Sequence, residues 1–298
     1  MNIVALHSSQ SHSGQWKNLH KALLVEGLLA GSETADAGTT TASMVSKSTA
    51  QVHEFFAPDL IGYGRGAPVS KEAVDFRLAD ELAALTADSS QLPFAARPGQ
   101  EPVVLVGHSY GGALALQWAL RYPEQVRGLV LYEPVSFHVL PADSPARAEI
   151  VAIAEQMDNL SLAEAAASFV DYWNTPGYFA RLPERARSQM VTQQAKVQAD
   201  FHALLDEATE LADYAALRMP VVLVHGTESP LSSQTVAQCL AATIPHCLHL
   251  DVAAGHMAPL TQATVVNPLL VNGLRYVLQA SASPESTHSV QQSAAVDG

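Results

Sequence analysis

Cysteine, positive charge and long apolar runs are all scarce in this chain, and each scarcity removes a class of protein. Two cysteines in 298 residues cannot build a disulfide framework. Cys239 and Cys247 fall in a predicted helix and a predicted strand and read as reduced core residues. Lys and Arg number 16 against 29 Asp and Glu, a net charge of -13 that opposes binding to nucleic acid or to an anionic membrane. No apolar run approaches the roughly 18 residues needed to cross a bilayer. The opening Met1-Asn2-Ile3-Val4-Ala5-Leu6 begins as a strand with no basic region ahead of it. That argues against a signal peptide and, with reduced cysteines, predicts a cytoplasmic protein. His7, His12, His20 and His53 lack metal-ligand spacing, and no phosphate loop or dinucleotide fingerprint occurs, so neither a metal nor a cofactor is expected. Composition leaves the oligomeric state open.

What is present is enough apolar residue, 48%, to bury a large core in one α/β domain or one domain with an insertion. Valine-rich runs predict buried strands at residues 2–6, 52–57, 103–106, 127–132, 220–226 and 246–251. Helical spacing predicts helices over 15–29, 74–85, 113–120, 232–243 and 267–279, the second with Asp75, Asp80 and Glu81 facing solvent. Strands alternating with helices imply a parallel sheet covered on both faces. Residues 31–50 read as an exposed loop, 86–101 as a polar connection and 281–298 as a disordered tail. From 135 to 217 only helices are predicted, including one opened by the capping box Ser161-Leu162-Ala163-Glu164. The expected organisation is a core of residues 1–134 and 218–280, with 135–217 a helical cap over the carboxyl edge of the sheet, where open α/β sheets bind ligands.

The chemistry centres on Gly107-His108-Ser109-Tyr110-Gly111-Gly112, set between the strand Val103–Val106 and a helix-forming run. Strand, Gly-x-Ser-x-Gly and helix are the context of a nucleophile elbow, in which Ser109 sits on a sharp turn. A serine at neutral pH needs a base and a group to orient that base. His256, in the Gly255-His256-Met257 loop after the last strand, is the candidate base. Three carboxylates compete for the third role: Glu133, Glu228 and Asp251. Backbone N–H groups of Tyr110 and Ser9 are the candidate oxyanion donors. His108 reads as packing beneath the elbow, and Asp59 as a residue that pins its own turn. Phe137, His138, Tyr172 and Trp173 are candidate pocket residues, which predicts a small-molecule substrate with an apolar part.

These motifs resemble the α/β-hydrolase superfamily over roughly residues 1–280. Leu6-His7 resembles the His-Gly block after its first core strand, and Asp59-Leu60-Ile61-Gly62-Tyr63-Gly64 its Asp-x-x-Gly-x-Gly block. Gly107–Gly112 resembles its elbow, and Gly255-His256-Met257 its histidine loop. The resemblance implies a mostly parallel central sheet flanked by helices, with an inserted helical cap. Two departures stand out. Ser8 replaces the usual glycine, which matters if that position needs a positive φ. Ser229 stands where the usual acid lies. Members with Tyr-Glu-Pro at the end of the preceding core strand place the acid there, which is Glu133 here, with Glu228 the alternative. The implied activity is cofactor-independent hydrolysis of a carboxylic ester or thioester through an acyl-enzyme. The alternatives are carbon–carbon bond hydrolysis of a diketone, or a non-catalytic ligand receptor on the same fold. Epoxide and haloalkane chemistry is disfavoured, because those members carry an aspartate where Ser109 sits.

Overall fold

The computed structural model describes residues 1–29, 53–88, 90–93 and 101–280; the loop expected over 31–50 and the tail expected over 281–298 lie outside the described residues. Six strands form one sheet: β1 (Asn2–Leu6), β2 (Glu54–Phe56), β3 (Val103–His108), β4 (Val126–Tyr132), β5 (Val221–Gly226) and β6 (Cys247–Val252). Their order is β2-β1-β3-β4-β5-β6, and every neighbouring pair is parallel. The helices are α1 (Lys17–Val25), α2 (Leu78–Ala87), α3 (Tyr110–Arg121), α4 (Pro145–Asn159), α5 (Leu162–Trp173), α6 (Tyr178–Arg181), α7 (Glu184–Leu205), α8 (Leu231–Thr243), α9 (Ala258–Thr261) and α10 (Ala263–Ala280).

The central strands β3 and β5 are buried along their whole length, which is why they read as unbroken apolar runs. Side chains alternate between the two faces of a strand. Val104, Val106, Val222 and Val224 enter one core with Trp16, Leu19, Leu270 and Leu274. Leu105, Leu129, Leu131 and Leu223 enter the other with Leu114, Trp118, Val236 and Phe201. The edge strand β6 stays half-exposed.

Between β4 and β5 the chain forms α4 to α7 and no strand. Ser161 opens α5 with a reciprocal cap. Its N–H donates to Glu164 Oε2 at 3.1 Å, and the Glu164 N–H donates to Ser161 Oγ at 3.4 Å. The block packs α5 against α4 and α7, and rests α4 on α8.

Local boundaries shift where backbone chemistry overrides the apolar spacing. The helix expected over 15–29 is a 3-10 turn, Ser13–Trp16, followed by the shorter α1. Gly27, at φ 69, stops it: Gly27 N–H bonds Leu24 O at 3.1 Å and Leu28 N–H bonds Leu23 O at 2.9 Å, a Schellman closure. The helix expected over 74–85 breaks at the buried Phe76 into a turn, Ala73–Asp75, and α2. Glu81, expected in solvent, is fully buried. A carboxylate tolerates that only when partnered, and Ile61 N–H, Tyr110 Oη and Lys196 Nζ supply its partners. Among the described residues no helix is long and apolar enough to cross a membrane.

Candidate active site

β3 ends at His108 and α3 begins at Tyr110, which leaves Ser109 in the turn at φ 56 and ψ -121. A residue with a side chain held there costs about 1–3 kcal/mol. The turn is fixed by Ser109 N–H to Tyr132 O at 3.1 Å, and by Gly112 N–H to Ser109 O at 2.9 Å. A Cβ on Gly107 would lie 2.6 Å from Gly112 Cα, and one on Gly111 2.3 Å from Leu6 O, so neither position admits a side chain. Among the described residues only three non-glycines have positive φ: Gln10, Ser109 and Glu133. All three belong to this one site. Ser8, the residue whose loss of glycine raised the question of strain, is not among them.

Glu133, at the end of β4, is fully buried and points at the histidine loop. His256 Nδ1 lies 2.6 Å from Glu133 Oε2, and His256 Nε2 lies 2.9 Å from Ser109 Oγ. Glu133 also accepts from Gly226 N–H at 2.6 Å and from Ser233 Oγ at 2.9 Å. Burial alone would raise this carboxyl, but the hydrogen bonds from His256 and Gly226, with the charge of His256, hold it below the ordinary glutamate value. An ionised Glu133 therefore faces Nδ1, which orients the ring and leaves Nε2 for the serine. Glu228 is exposed in the loop after β5, and Asp251 lies beside His225 on β6, so neither reaches His256.

A second chain of polar groups braces the same histidine. The Ser8 N–H and Oγ donate to Gln15 Oε1, and Gln15 Nε2 donates to His108 Nδ1 at 3.2 Å. His108 Nε2–H then donates to the His256 carbonyl at 2.9 Å, the tautomer that this sequence of donors assigns. Burial holds His108 far below the ordinary histidine value, so it stays neutral. Asp59 accepts from Ser13 N–H and Arg65 N–H, bracing the neighbouring loops.

The serine opens into a cavity of about 170 Å³. Ser8, Ser9, Gln10 and Ser11 form one wall, and Phe169, Val170, Trp173, Tyr178 and Leu182 the other. Trp173 lies over the histidine with ring centroids 3.9 Å apart. Three residues expected at the pocket do not line it. Phe137 is fully buried and stacked with Trp173. His138 has both ring nitrogens engaged, by Leu204 O and Tyr214 Oη. Tyr172 directs its hydroxyl to Glu149 and Ser232. A wider groove of about 650 Å³ between α1 and α10 contains no part of this relay.

Sequence reasoning missed Gln15, Ser233 and a buried ionic cluster behind the Ser8–Ser11 loop. There Lys196 pairs with Glu81 Oε2 at 3.2 Å and with Asp200 on its own helix. Asp200 Oδ2 accepts from Ser9 Oγ and Tyr63 Oη, each at 2.6 Å. Lys196 followed four residues later by Asp200 looks like an ordinary surface pair on a helix, so no local signal marks it. The group His225, His249 and Asp251, also unforeseen, has metal-ligating atoms within 4.8 Å of one another.

The family model for the alpha/beta hydrolase fold matches residues 23–263, and the chain belongs to that family. It is 26% identical over 283 residues to a 2-hydroxymuconate semialdehyde hydrolase of Pseudomonas putida, covering 88% of this chain and 92% of that one. It is 38% identical over 111 residues to the lipase LipV of Mycobacterium tuberculosis, a match spanning 37% of this chain and 38% of the lipase. The enol-lactonase of Burkholderia xenovorans LB400 superposes with a TM-score of 0.63 at 17% identity, covering 92% and 91% of the two chains, a likeness of fold.

Proposed function

We propose that this hydrolase-fold protein cleaves a small carboxylic ester or thioester through an acyl-enzyme on Ser109. The observation that carries the reading is the unbroken relay from Ser109 Oγ through His256 to the buried Glu133, opening on a mainly apolar cavity. Ser109 Oγ attacks the carbonyl carbon as His256 Nε2 takes its proton, and Glu133 stabilises the imidazolium. The N–H of Tyr110, first in α3, has no acceptor within its own helix and, with the Ser9 N–H, receives the developing oxyanion. His256 returns the proton to the leaving alcohol or thiol. Water then attacks the acyl group with His256 again as base, releasing the acid and restoring Ser109.

In this reading residues 135–217 act as a cap on the core of 1–134 and 218–280, with Trp173 and Tyr178 against the acyl group. A cavity of about 170 Å³ lies below the roughly 300–1,000 Å³ of sites for drug-sized ligands, which favours short acyl chains. A second reading, carbon–carbon bond hydrolysis, is favoured by the near full-length match to the semialdehyde hydrolase.

The test is a panel of esters and thioesters of increasing acyl length, with a vinylogous diketone alongside, run on the wild type and on Ser109→Ala. Short-acyl turnover that falls by about 10⁴-fold or more in Ser109→Ala supports the proposal. Turnover of the diketone alone transfers the function to the second reading. Unchanged turnover in Ser109→Ala overturns both.

A further inference from the structure

Three side chains converge on the far edge of the sheet, apart from the Ser109 cavity. β5 and β6 run parallel with His225 opposite Asp251 and Leu223 opposite His249. Because side chains alternate along a strand, His225, His249 and Asp251 all stand on the same face. His225 Nδ1 lies 2.9 Å from His249 Nε2 and 3.4 Å from Asp251 Oδ1. The two imidazole rings are stacked, with centroids 4.8 Å apart.

We propose that His225 Nδ1, His249 Nε2 and Asp251 Oδ1 form a three-ligand site for a borderline divalent transition-metal ion such as Zn²⁺, completed by water. Bonds of about 2.0–2.2 Å to a tetrahedral ion place neighbouring ligand atoms roughly 3.3–3.5 Å apart. The His225–Asp251 spacing already meets that value, and the His225–His249 spacing needs to open by about half an ångström. The His249–Asp251 pair, within 4.8 Å, has to close on the ion, which the exposed Asp251 side chain can do. A hydrogen bond between the rings would account for the two histidines alone. The carboxylate beside the same Nδ1 adds a third, negatively charged ligand. Two imidazoles and one carboxylate select Zn²⁺, Co²⁺ or Ni²⁺ over Mg²⁺ and Ca²⁺, which take oxygen ligands. His225 is buried and held by the sheet, whereas the Asp251 side chain is 65% exposed. The pair thus gives a rigid half and an open half through which an ion and its water can enter.

The site does not depend on the serine chemistry. It does touch the same strand end, since His225 precedes Gly226, whose N–H holds Glu133 Oε1. An ion here would clamp β6 to β5 and raise thermal stability with the logarithm of the free ion concentration above its Kd.

The test uses the full chain, stripped with a chelator and titrated with Zn²⁺ by calorimetry, beside His249→Ala, Asp251→Asn and the remote control His20→Ala. The expected result is one tight ion per chain in the wild type and in His20→Ala. His249→Ala should weaken that ion by about 100-fold or more, since losing a ligand costs at least what losing its support does. With Co²⁺, the wild type should show the intense visible bands of tetrahedral coordination, and Asp251→Asn should lose them. Absence of a stoichiometric ion in the wild type overturns the proposal. So does equal affinity in His249→Ala, a fold-independent result because thermal unfolding of the apo variants shows whether they are folded.

Discussion

Two buried charged groups flank the same cavity, the Ser109–His256–Glu133 relay and the Glu81–Lys196–Asp200 cluster, and they differ in where their last partner points. Each places carboxylates fully out of solvent. In the relay, Glu133 is held by Gly226 N–H, Ser233 Oγ and His256 Nδ1, and the chain of bonds ends at a serine facing the cavity. In the cluster, the chain of bonds closes on itself. Lys196 sits over the rings of Tyr63, Phe76 and Tyr110, 4.5–4.9 Å from their centroids, and answers both acids. Burial works against the charged lysine, but Asp200 and Glu81 hold it above the ordinary value. Burial raises Glu81, and Lys196 opposes that rise. A charge with an open end is suited to chemistry, and a charge with none is suited to holding parts together. The parts held are three: Ser9 through Asp200, Tyr110 through Glu81, and α7 through Lys196.

The sharpest way to break the comparison is at Glu133. Glu133→Gln should lower kcat by roughly 10⁴-fold, because the amide no longer stabilises the imidazolium, while Glu228→Gln leaves it near wild type. Equal losses in the two variants on a reporter ester would dissolve the distinction between the relay and an ordinary buried acid. Next in size is Lys196→Met, which leaves two buried carboxylates without a cation. It should cost about 3–5 kcal/mol in urea unfolding. An unchanged urea midpoint would show that the cluster holds nothing.

His7 joins the two regions, with its ring edge-on to Tyr63 at 5.8 Å. Its Nδ1–H donates to Ser8 O, and its Nε2 accepts from Leu60 N–H. Burial lowers its pKa to about 4. The unfolded chain binds this proton near 6.5 and the folded one only near 4. The contribution is therefore complete above about pH 6.5 and is lost as pH falls toward 4. The loss is roughly 3 kcal/mol over that window. An NMR titration should find the neutral Nδ1–H tautomer down to about pH 4, and a midpoint near 6.5 would contradict it. Smallest is Ser161→Ala, which removes the α5 cap far from both charged groups. It should cost about 1 kcal/mol by thermal unfolding and leave kcat unchanged.

Local patterns were readable where a structural requirement lies within a few residues. The buried strands declared themselves as valine runs, and Gly107 and Gly111 flank Ser109 because no Cβ fits there. The Ser161–Glu164 cap spans three residues. What was not readable is long-range. Glu81 sits on an otherwise amphipathic helix, and nothing near it announces a lysine 115 residues away. Phe137, His138 and Tyr172 are as aromatic or polar as Trp173, and only the packing of α5 over the histidine separates the one that meets the cavity from those behind it.

Taken by itself, the chain determined the parallel α/β architecture and the turn that presents Ser109, because periodicity and glycine clearance act over short separations. Only the tertiary structure decided which carboxylate reaches His256. Glu133 directly follows β4, Glu228 lies in the loop just beyond β5, and β4 and β5 lie side by side. The backbone at Glu133, at φ 46, turns its side chain under the histidine, where Gly226 and Ser233 complete its hydrogen bonds, while Glu228 faces water. The same long-range packing placed Lys196 between two acids and brought His225, His249 and Asp251 onto one face of the sheet.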